Sequence, residues 1–202
     1  MSEVPGSRNG SATSPDLLES ARLLGGYAWS EQRLFEILGS WVPTTTDPAA
    51  IVLLDVQSRH HAWYASVWID RLPELREVPR DRVVVAPAGG FGGFLDAVAA
   101  VPPSGLERVG TLVGVVLPHL LSTYERHLDR LGAVADAPLQ RWMGIVVADL
   151  RADLDAGREV LRELSTADGD AGRARAEQAR MAAELDRLGA ALGATDGLAG
   201  AG

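Results

Sequence analysis

Apolar residues recur every three to four positions along four long stretches of this chain, the spacing typical of amphipathic helices that pack on a core. The stretches cover residues 15–41, 48–72, 105–132 and 137–165. A fifth stretch begins near Asp170 and is rich in alanine and arginine, with only a thin apolar stripe. The pattern predicts an all-α protein with four long helices and an additional C-terminal helix.

The starts of these helices carry capping signals. Asp47 followed by Pro48 is a side-chain acceptor followed by proline at the first helical position. Ser104 with Glu107 three residues later has the spacing of a capping box. Asp136 occupies the same position before the fourth stretch. These signals support the boundaries that the apolar spacing indicates.

The lengths of the connections predict how the helices are arranged. Helices 1 and 2, and likewise helices 3 and 4, are joined by short loops, which make antiparallel neighbours. Between helices 2 and 3 lie about 30 residues, enough to return along a helix of about 38 Å. The third helix can then start at the end where the second one started. An up-down-up-down bundle with a decorated loop is the alternative.

A glycine-rich stretch, GGFGGF, lies in this long connection from Gly89 to Phe94. It lacks the GxGxxG spacing of a dinucleotide-binding loop, and no second βα unit is present in the sequence. We therefore expect a flexible part of the crossover rather than a phosphate site.

Composition narrows the chemistry that the chain can perform. Its 202 residues contain no cysteine and no lysine, and the net charge is −8. Disulfide, thiolate and lysine Schiff-base chemistry are excluded, and an acidic chain without a basic patch argues against nucleic acid as a partner. No apolar run is long enough to span a membrane, and the N-terminus is not that of a signal peptide. We predict a bacterial, cytoplasmic protein.

The predicted domain organisation follows from these patterns. The helical bundle covers residues 14–166 and the C-terminal helix residues 170–193. Residues 1–13 and 194–202 are small, polar and glycine-rich, and are expected to be disordered.

Several polar residues fall on the apolar stripes that should face the core. Glu31 lies in the middle of the stripe of helix 1, and His61 lies on that of helix 2. His119 lies near the stripe of helix 3, and Asp149 and Asp153 lie one turn apart on the inward face of helix 4. With the crossover topology these residues share about one height in the bundle. A lone buried carboxylate is costly unless it is paired or bound, so we expect Glu31, His61 and an aspartate of helix 4 to lie together.

This arrangement resembles the ferritin-like superfamily of di-iron carboxylate proteins over residues 15–165. The resemblance implies a four-helix bundle with a long crossover between helices 2 and 3, and a metal centre in its interior. The sequence departs from the Glu-x-x-His motif of that superfamily twice. Helix 2 reads Ser58-x-x-His61, and helix 4 has alanine three residues after Asp149. The resemblance therefore implies at most a single iron (or manganese) ion.

Two functions follow from an incomplete ligand set. The first is a ferritin-like bundle with a degenerate metal site that acts by binding or assembly. The second is a non-haem iron oxidase or oxygenase, since two histidines and a carboxylate suffice for Fe(II). Its site would consist of Glu31, His61, His119 and Asp149 or Asp153. No motif for nucleophilic catalysis occurs in the sequence.

Helix 2 carries apolar residues on the side opposite its core stripe. Val52, Val56, Trp63 and Val67 recur there at helical spacing. A helix that is apolar all round is expected to be covered on all sides. We predict that this second face is the interface of a homodimer, with the crossover or the fifth helix as alternative covers.

Overall fold

A computed structural model of the protein describes residues 17–74, 76, 78–132, 136–167 and 171–187. The segments 1–13 and 194–202, predicted to be disordered, lie outside these residues. All regular structure in the described ranges is helical, which confirms the all-α prediction. None of the described helices combines the length and the apolar character needed to cross a membrane. The α-helices are α1 (Leu17–Trp41), α2 (Pro48–Arg71), α3 (Phe91–Ala99), α4 (Gly105–Thr111), α5 (Leu117–Leu128), α6 (Ala137–Ala167) and α7 (Ala171–Arg187).

The predicted caps are formed at α2 and α4. The side chain of Asp47 accepts hydrogen bonds from the backbone N–H groups of Ala49 and Ala50 at 2.9 and 3.0 Å. Ser104 accepts one from the N–H of Glu107 at 3.4 Å, but the capping box is only half formed, because the N–H of Ser104 donates to the carbonyl of Pro102 rather than to Glu107. These bonds satisfy donors that have no partner within the first turn of a helix, so both helices begin where the sequence indicates.

The predicted third helix is interrupted by a π-helical turn. Residues Leu112–Val116 form this turn between α4 and α5, and the backbone stays right-handed helical at both junctions. Pro118 follows directly in the first turn of α5. A proline inside an α-helix removes a donor and clashes with the carbonyl four residues earlier, and a π-turn relieves that clash. We call this continuous element the α4–α5 rod; its helical part ends at Leu128 rather than at residue 132.

The direction of the α4–α5 rod is fixed by contacts at its two ends. At the start, a Cβ on Gly105 would lie 3.0 Å from the Cβ of Ala50, at the start of α2. Near the other end, the Tyr124 ring lies 5.4 Å from that of Trp68, in the last turns of α2. The rod therefore runs parallel to α2.

The other long helices run antiparallel to these two. On α2, Ser58 Oγ donates to the carbonyl of Phe35 in α1 at 3.1 Å. Helix α6 passes the rod in the opposite direction, with Arg151 bound to Glu125 at 2.6 Å. Its start lies at the end of α2, where the guanidinium of Arg71 lies 4.6 Å above the ring of Trp142. α1, α2, the rod and α6 thus enclose one core.

The connection between α2 and α4 carries the chain back along the bundle and is more ordered than predicted. It contains a short 3₁₀-helix, Arg80–Arg82, and α3. Gly89 and Gly90 have φ values of 79° and 83°, which favour glycine, and α3 begins directly after them. Phe91 and Phe94 are fully buried. The expectation of a flexible GGFGGF stretch is therefore wrong, because its two phenylalanines anchor a helix in the core.

The crossover lies directly on α1 at a pair of glycines. A Cβ on Gly25 would lie 2.0 Å from the carbonyl oxygen of Val83, and one on Gly26 would lie 3.3 Å from the ring of Pro87. Side chains at these two positions would hold the two segments apart. The Gly25–Gly26 pair therefore allows backbone to pack on backbone.

Helix α7 covers the outer side of the α4–α5 rod. Ala174 and Met181 are its buried residues. A Cβ on Gly110 would lie 3.4 Å from that of Ala174, and one on Gly114 would lie 2.7 Å from the side chain of Gln178. The C-terminal helix thus packs on two glycines of the rod and completes the side of the bundle that the π-turn occupies.

Candidate functional site

The centre of the bundle holds a buried carboxylate shared by two helices. Glu31 of α1 and His61 of α2 are both fully buried. His61 Nδ1 is hydrogen-bonded to Glu31 Oε2, and the Tyr124 hydroxyl of α5 donates to Glu31 Oε1. Each carboxylate oxygen therefore has a partner from a different helix, which is what a buried carboxylate needs in order to avoid an uncompensated desolvation cost.

These partners assign the orientation of the His61 imidazole. A carboxylate only accepts hydrogen bonds, so Nδ1 is the donor toward Glu31. In the neutral imidazole, Nε2 then carries the lone pair. In the described part of the chain, Nε2 is buried and has no hydrogen-bond partner. A histidine held by a carboxylate through one nitrogen presents the other nitrogen as an acceptor or ligand.

A second carboxylate lies toward the surface beside this group. Asp153 of α6 is hydrogen-bonded to His60 Nδ1 at 2.9 Å through Oδ1 and at 3.0 Å through Oδ2. The Tyr64 hydroxyl also donates to Asp153 Oδ2 at 3.0 Å. The ring of Tyr64 meets the ring of His61 edge-on at 5.7 Å. Tyr64 thus stands between the two carboxylate groups.

An aromatic cluster closes the network at the side of α1 and α5. The Tyr27 hydroxyl is hydrogen-bonded to His127 Nδ1 at 3.2 Å. The Tyr27 ring packs edge-on against Tyr124 at 4.8 Å and Trp68 at 5.8 Å. Edge-to-face pairs at this spacing add to the free energy of burying the rings. We define the core network as Tyr27, Glu31, His60, His61, Tyr64, Tyr124, His127 and Asp153.

Burial sets the protonation of several members of the core network. Burial, followed by the nearby Asp153, raises the pKa of Tyr64 far above its ordinary value. Burial, followed by Glu31, does the same to the pKa of Tyr124. Both phenols therefore remain hydrogen-bond donors across the physiological range. Burial and, to a smaller extent, Arg130 lower the pKa of His127 to about 4, so its imidazole is neutral at pH 7.

The structure separates the residues that the sequence grouped into a metal site. Glu31, His61 and Asp153 lie in the core network, but Asp149 is exposed on α6. His119 stacks on Phe91 of α3 at 5.3 Å. Burial, with a contribution from Arg126, lowers the pKa of His119 to about 4. In the described ranges no three or more His, Asp or Glu side chains are grouped so that they could hold a metal ion. The predicted ligand set does not fit a bound iron.

Asp149 does not reach the core network because the inward face of α6 is rotated from the predicted one. The buried residues around it are Val146, Val147, Leu150 and Asp153. The aspartates are four residues apart, and only Asp153 lies inside the arc that these apolar residues define. His119 does not join the core network because it packs on α3, a helix of the crossover that the sequence pattern did not indicate.

Sequence reasoning missed the hydroxyl donors of the core network. Tyr124 lies four residues after Leu120 and three before His127, so it falls on the same apolar stripe. Tyr27 lies one turn before Glu31 on α1. The signal that could have identified both residues is a tyrosine on a core stripe, where its hydroxyl group can reach a buried acid. His60 is half-buried at the edge of α2, off its core stripe, and reaches Asp153 from there.

A separate polar contact joins the α1–α2 turn to the start of the rod. Arg108 is buried, and its Nη1 donates to the carbonyl of Trp41 at 3.0 Å. It also donates to the hydroxyls of Thr44 and Thr45 at 2.9 and 2.8 Å. Burial lowers the pKa of this guanidinium. A cation on the last carbonyls of α1 is favoured by the helix dipole.

The predicted interface residues of α2 differ in exposure. Val52 is 64% exposed and Trp63 is 40% exposed, whereas Val56 is half-buried. Val67 is only 5% exposed and packs in the core, so it cannot belong to an exposed patch. Arg59, which the apolar pattern passed over, lies between the exposed pair. We define the outer face of α2 as Val52, Val56, Arg59 and Trp63.

Fold and core network together define an all-helical bundle protein with a buried carboxylate–histidine–tyrosine centre. No protein-family model, no curated protein and no solved structure matches this chain.

Proposed function

We propose that this chain is a ferritin-like four-helix bundle whose interior holds a hydrogen-bond network in place of a metal centre, and that it acts by binding or assembly. The course of the helices supports the first part. Two antiparallel pairs are joined by a long crossover, and α2 runs parallel to the α4–α5 rod, as in the ferritin-like arrangement. The acidic net charge of −8 argues against nucleic acid as the partner. A bacterial, cytoplasmic setting stays a prediction.

One observation carries the second part of the proposal. Both oxygens of Glu31 are bound by side chains of this chain, His61 and Tyr124. Asp153 is likewise bound by His60 and Tyr64. A metal-binding carboxylate needs its lone pairs directed at the ion, whereas these are directed at hydrogen-bond donors. The core network therefore satisfies the two acids without a metal.

A non-haem iron oxidase is the second candidate because of His61 Nε2. This atom is buried and lacks a partner in the described chain, and Glu31 holds the opposite nitrogen, as the outer carboxylate does in many metal sites. An iron ion on Nε2 would still need ligands that the described residues do not bring together. This function requires side-chain rearrangement around His61.

Metal analysis of the purified protein separates the two functions. The wild type, His61→Ala and His119→Ala would be produced in iron- and manganese-supplemented cells and analysed by elemental mass spectrometry. We expect no stoichiometric metal in any of the three. About one iron or manganese per wild-type chain, lost in His61→Ala, would overturn the metal-free proposal and support the oxidase candidate, and loss or retention of the metal in His119→Ala would show whether His119 is one of its ligands.

A further inference from the structure

The exposed apolar side chains of the described residues are concentrated on the layer formed by α1 and α2. Of the five large ones, Leu17, Phe35, Val52, Trp63 and Val85, four belong to α1 or α2. Val52 and Trp63 are on the outer face of α2, and Phe35 of α1 is 44% exposed beside Ser58. Exposed aromatic residues are enriched at interaction surfaces relative to the rest of a protein surface.

Charged residues lie between the apolar ends of this face. Arg59 Nη2 binds Asp55 Oδ2 at 2.7 Å, and both side chains are largely exposed. Trp63 lies about three turns after Val52, and Asp55 and Arg59 lie on the turns between them. The sequence along the outer face is therefore apolar, acidic, basic, apolar. Such an order is complementary to itself when it is read in the opposite direction.

We propose that a second copy of this chain docks on this face, with the two α2 helices antiparallel. The two-fold axis that relates them crosses the outer face of α2 at the height of residues 57 and 58. In this pairing Val52 of each copy meets Trp63 of the other. Asp55 of each copy approaches Arg59 of the other, which turns the two intrahelical ion pairs into a network of four charges. An isologous contact of this kind closes on itself and yields a dimer rather than a fibre.

This inference rests on the proposed mode of action by assembly and names its partner. The test does not depend on the metal analysis. A monomeric protein without metal would overturn the dimer and leave the metal-free bundle in place, acting by binding instead.

Light scattering at tens of micromolar measures the oligomeric state. We expect a dimer for the wild type, and we expect Trp63→Glu to raise the dissociation constant at least about 100-fold, as for an aromatic residue that anchors an interface. Arg59→Glu should raise it about tenfold because it sets acids against acids. The double variant Asp55→Arg/Arg59→Asp should restore the dimer. Arg158→Glu on α6, which breaks an exposed ion pair with Asp155, is the matched control and should have no effect.

Disulfide trapping tests the antiparallel geometry, since the chain contains no cysteine of its own. In Val56→Cys the two thiols lie next to the two-fold axis, about 5 Å apart along the helices, and oxidation should link the copies. In Val52→Cys they lie about 16 Å apart along the helices, beyond the reach of a disulfide.

Three results would overturn the proposal: a monomeric wild type, a dimer that is indifferent to Trp63→Glu, and linking of Val52→Cys as efficient as that of Val56→Cys. Circular dichroism of each variant confirms that a lost dimer is not a lost fold.

Discussion

His61 and Tyr124 come from helices that run in the same direction, and they bind opposite oxygens of one carboxylate, that of Glu31. Helix α1 is thereby tied to α2 and to α5 through one side chain in the middle of the core. Packing alone would allow small rotations of these helices. A buried acid with two fixed donors opposes such rotations, because they would leave one of its oxygens without a hydrogen-bond partner.

Removing the Tyr124 hydroxyl should cost more than removing that of Tyr27. Tyr124→Phe deletes a hydrogen bond to a buried carboxylate, and we expect a loss of about 2–3 kcal/mol in the free energy of unfolding. Tyr27→Phe deletes a longer bond to the neutral His127 ring and should cost about 1 kcal/mol. Urea unfolding of both variants measures the difference. Equal losses would show that Glu31 draws no special stabilisation from Tyr124.

Replacing Glu31 by its amide should be tolerated. In Glu31→Gln the amide oxygen still accepts from Tyr124, and the amide group can donate to His61 Nδ1 if the proton of that ring moves to Nε2. No charge is then buried, so the expected change in unfolding free energy is within about 1 kcal/mol of zero.

Glu31→Ala provides the contrast. It leaves both partners without an acceptor and opens a cavity, and it should cost about 3–5 kcal/mol. Thermal and urea unfolding of the two variants measure the difference. A Glu31→Gln protein as unstable as Glu31→Ala would mean that the negative charge itself is required.

The protein should lose stability as the pH falls from about 6.5 to about 4. Burial lowers the pKa of His119 and His127 to about 4 in the folded state, against 6.5 in an unfolded chain. In this window the unfolded chain binds more protons, so stability is fully present above pH 6.5 and falls with pH. Each histidine contributes about 3 kcal/mol or less.

Urea titrations across this pH range test the prediction. His127→Asn keeps an acceptor for Tyr27 but cannot titrate, so it should flatten part of the curve. Stability that stays constant down to pH 5 would refute the assignment and leave only the carboxylates as a source of acid sensitivity.

Two glycines in long helices should respond to alanine in opposite ways. Gly25→Ala would place a methyl group 2.0 Å from the carbonyl oxygen of Val83. Either α1 or the crossover must move, and we expect a loss of at least about 3 kcal/mol. Gly144 on α6 has no atom within 4 Å of a Cβ. Gly144→Ala should therefore stabilise the protein by about 0.5–1 kcal/mol through helix propensity. Melting temperatures that shift equally in both variants would contradict the close contact at Gly25.

The sequence was informative wherever the signal is local. Helix starts at Asp47 and Ser104 follow from capping chemistry, which a few neighbouring residues determine. The burial of Glu31 and His61 follows from their place on regular apolar stripes. The burial of both residues was predicted because the spacing of residues along an α-helix determines the direction in which their side chains point.

The remainder depends on contacts between distant segments. Whether Asp149 or Asp153 faces inward depends on how far α6 is rotated against α2, and a rotation of less than half a turn exchanges them. His119 was predicted to join the metal site, but it stacks on Phe91 of α3. That helix was not predicted, because its sequence is rich in glycine. Val67 was predicted to be an exposed interface residue. Its burial comes from the tertiary packing of α2, which the apolar pattern of a single helix does not determine.

The parallel course of α2 and the α4–α5 rod has a consequence for how quickly the bundle forms. A bundle of antiparallel neighbours can assemble from hairpins, each closed by a short loop. Here Arg108 must find Trp41 and Thr45, more than sixty residues earlier in the chain, before α2 and the rod lie side by side. The conformational entropy of this long loop is lost before the contacts that stabilise the paired helices are made. Folding should accordingly be slower than in an up-and-down bundle of equal length, and Arg108→Met should slow the folding rate in stopped-flow experiments if its contacts form in the transition state.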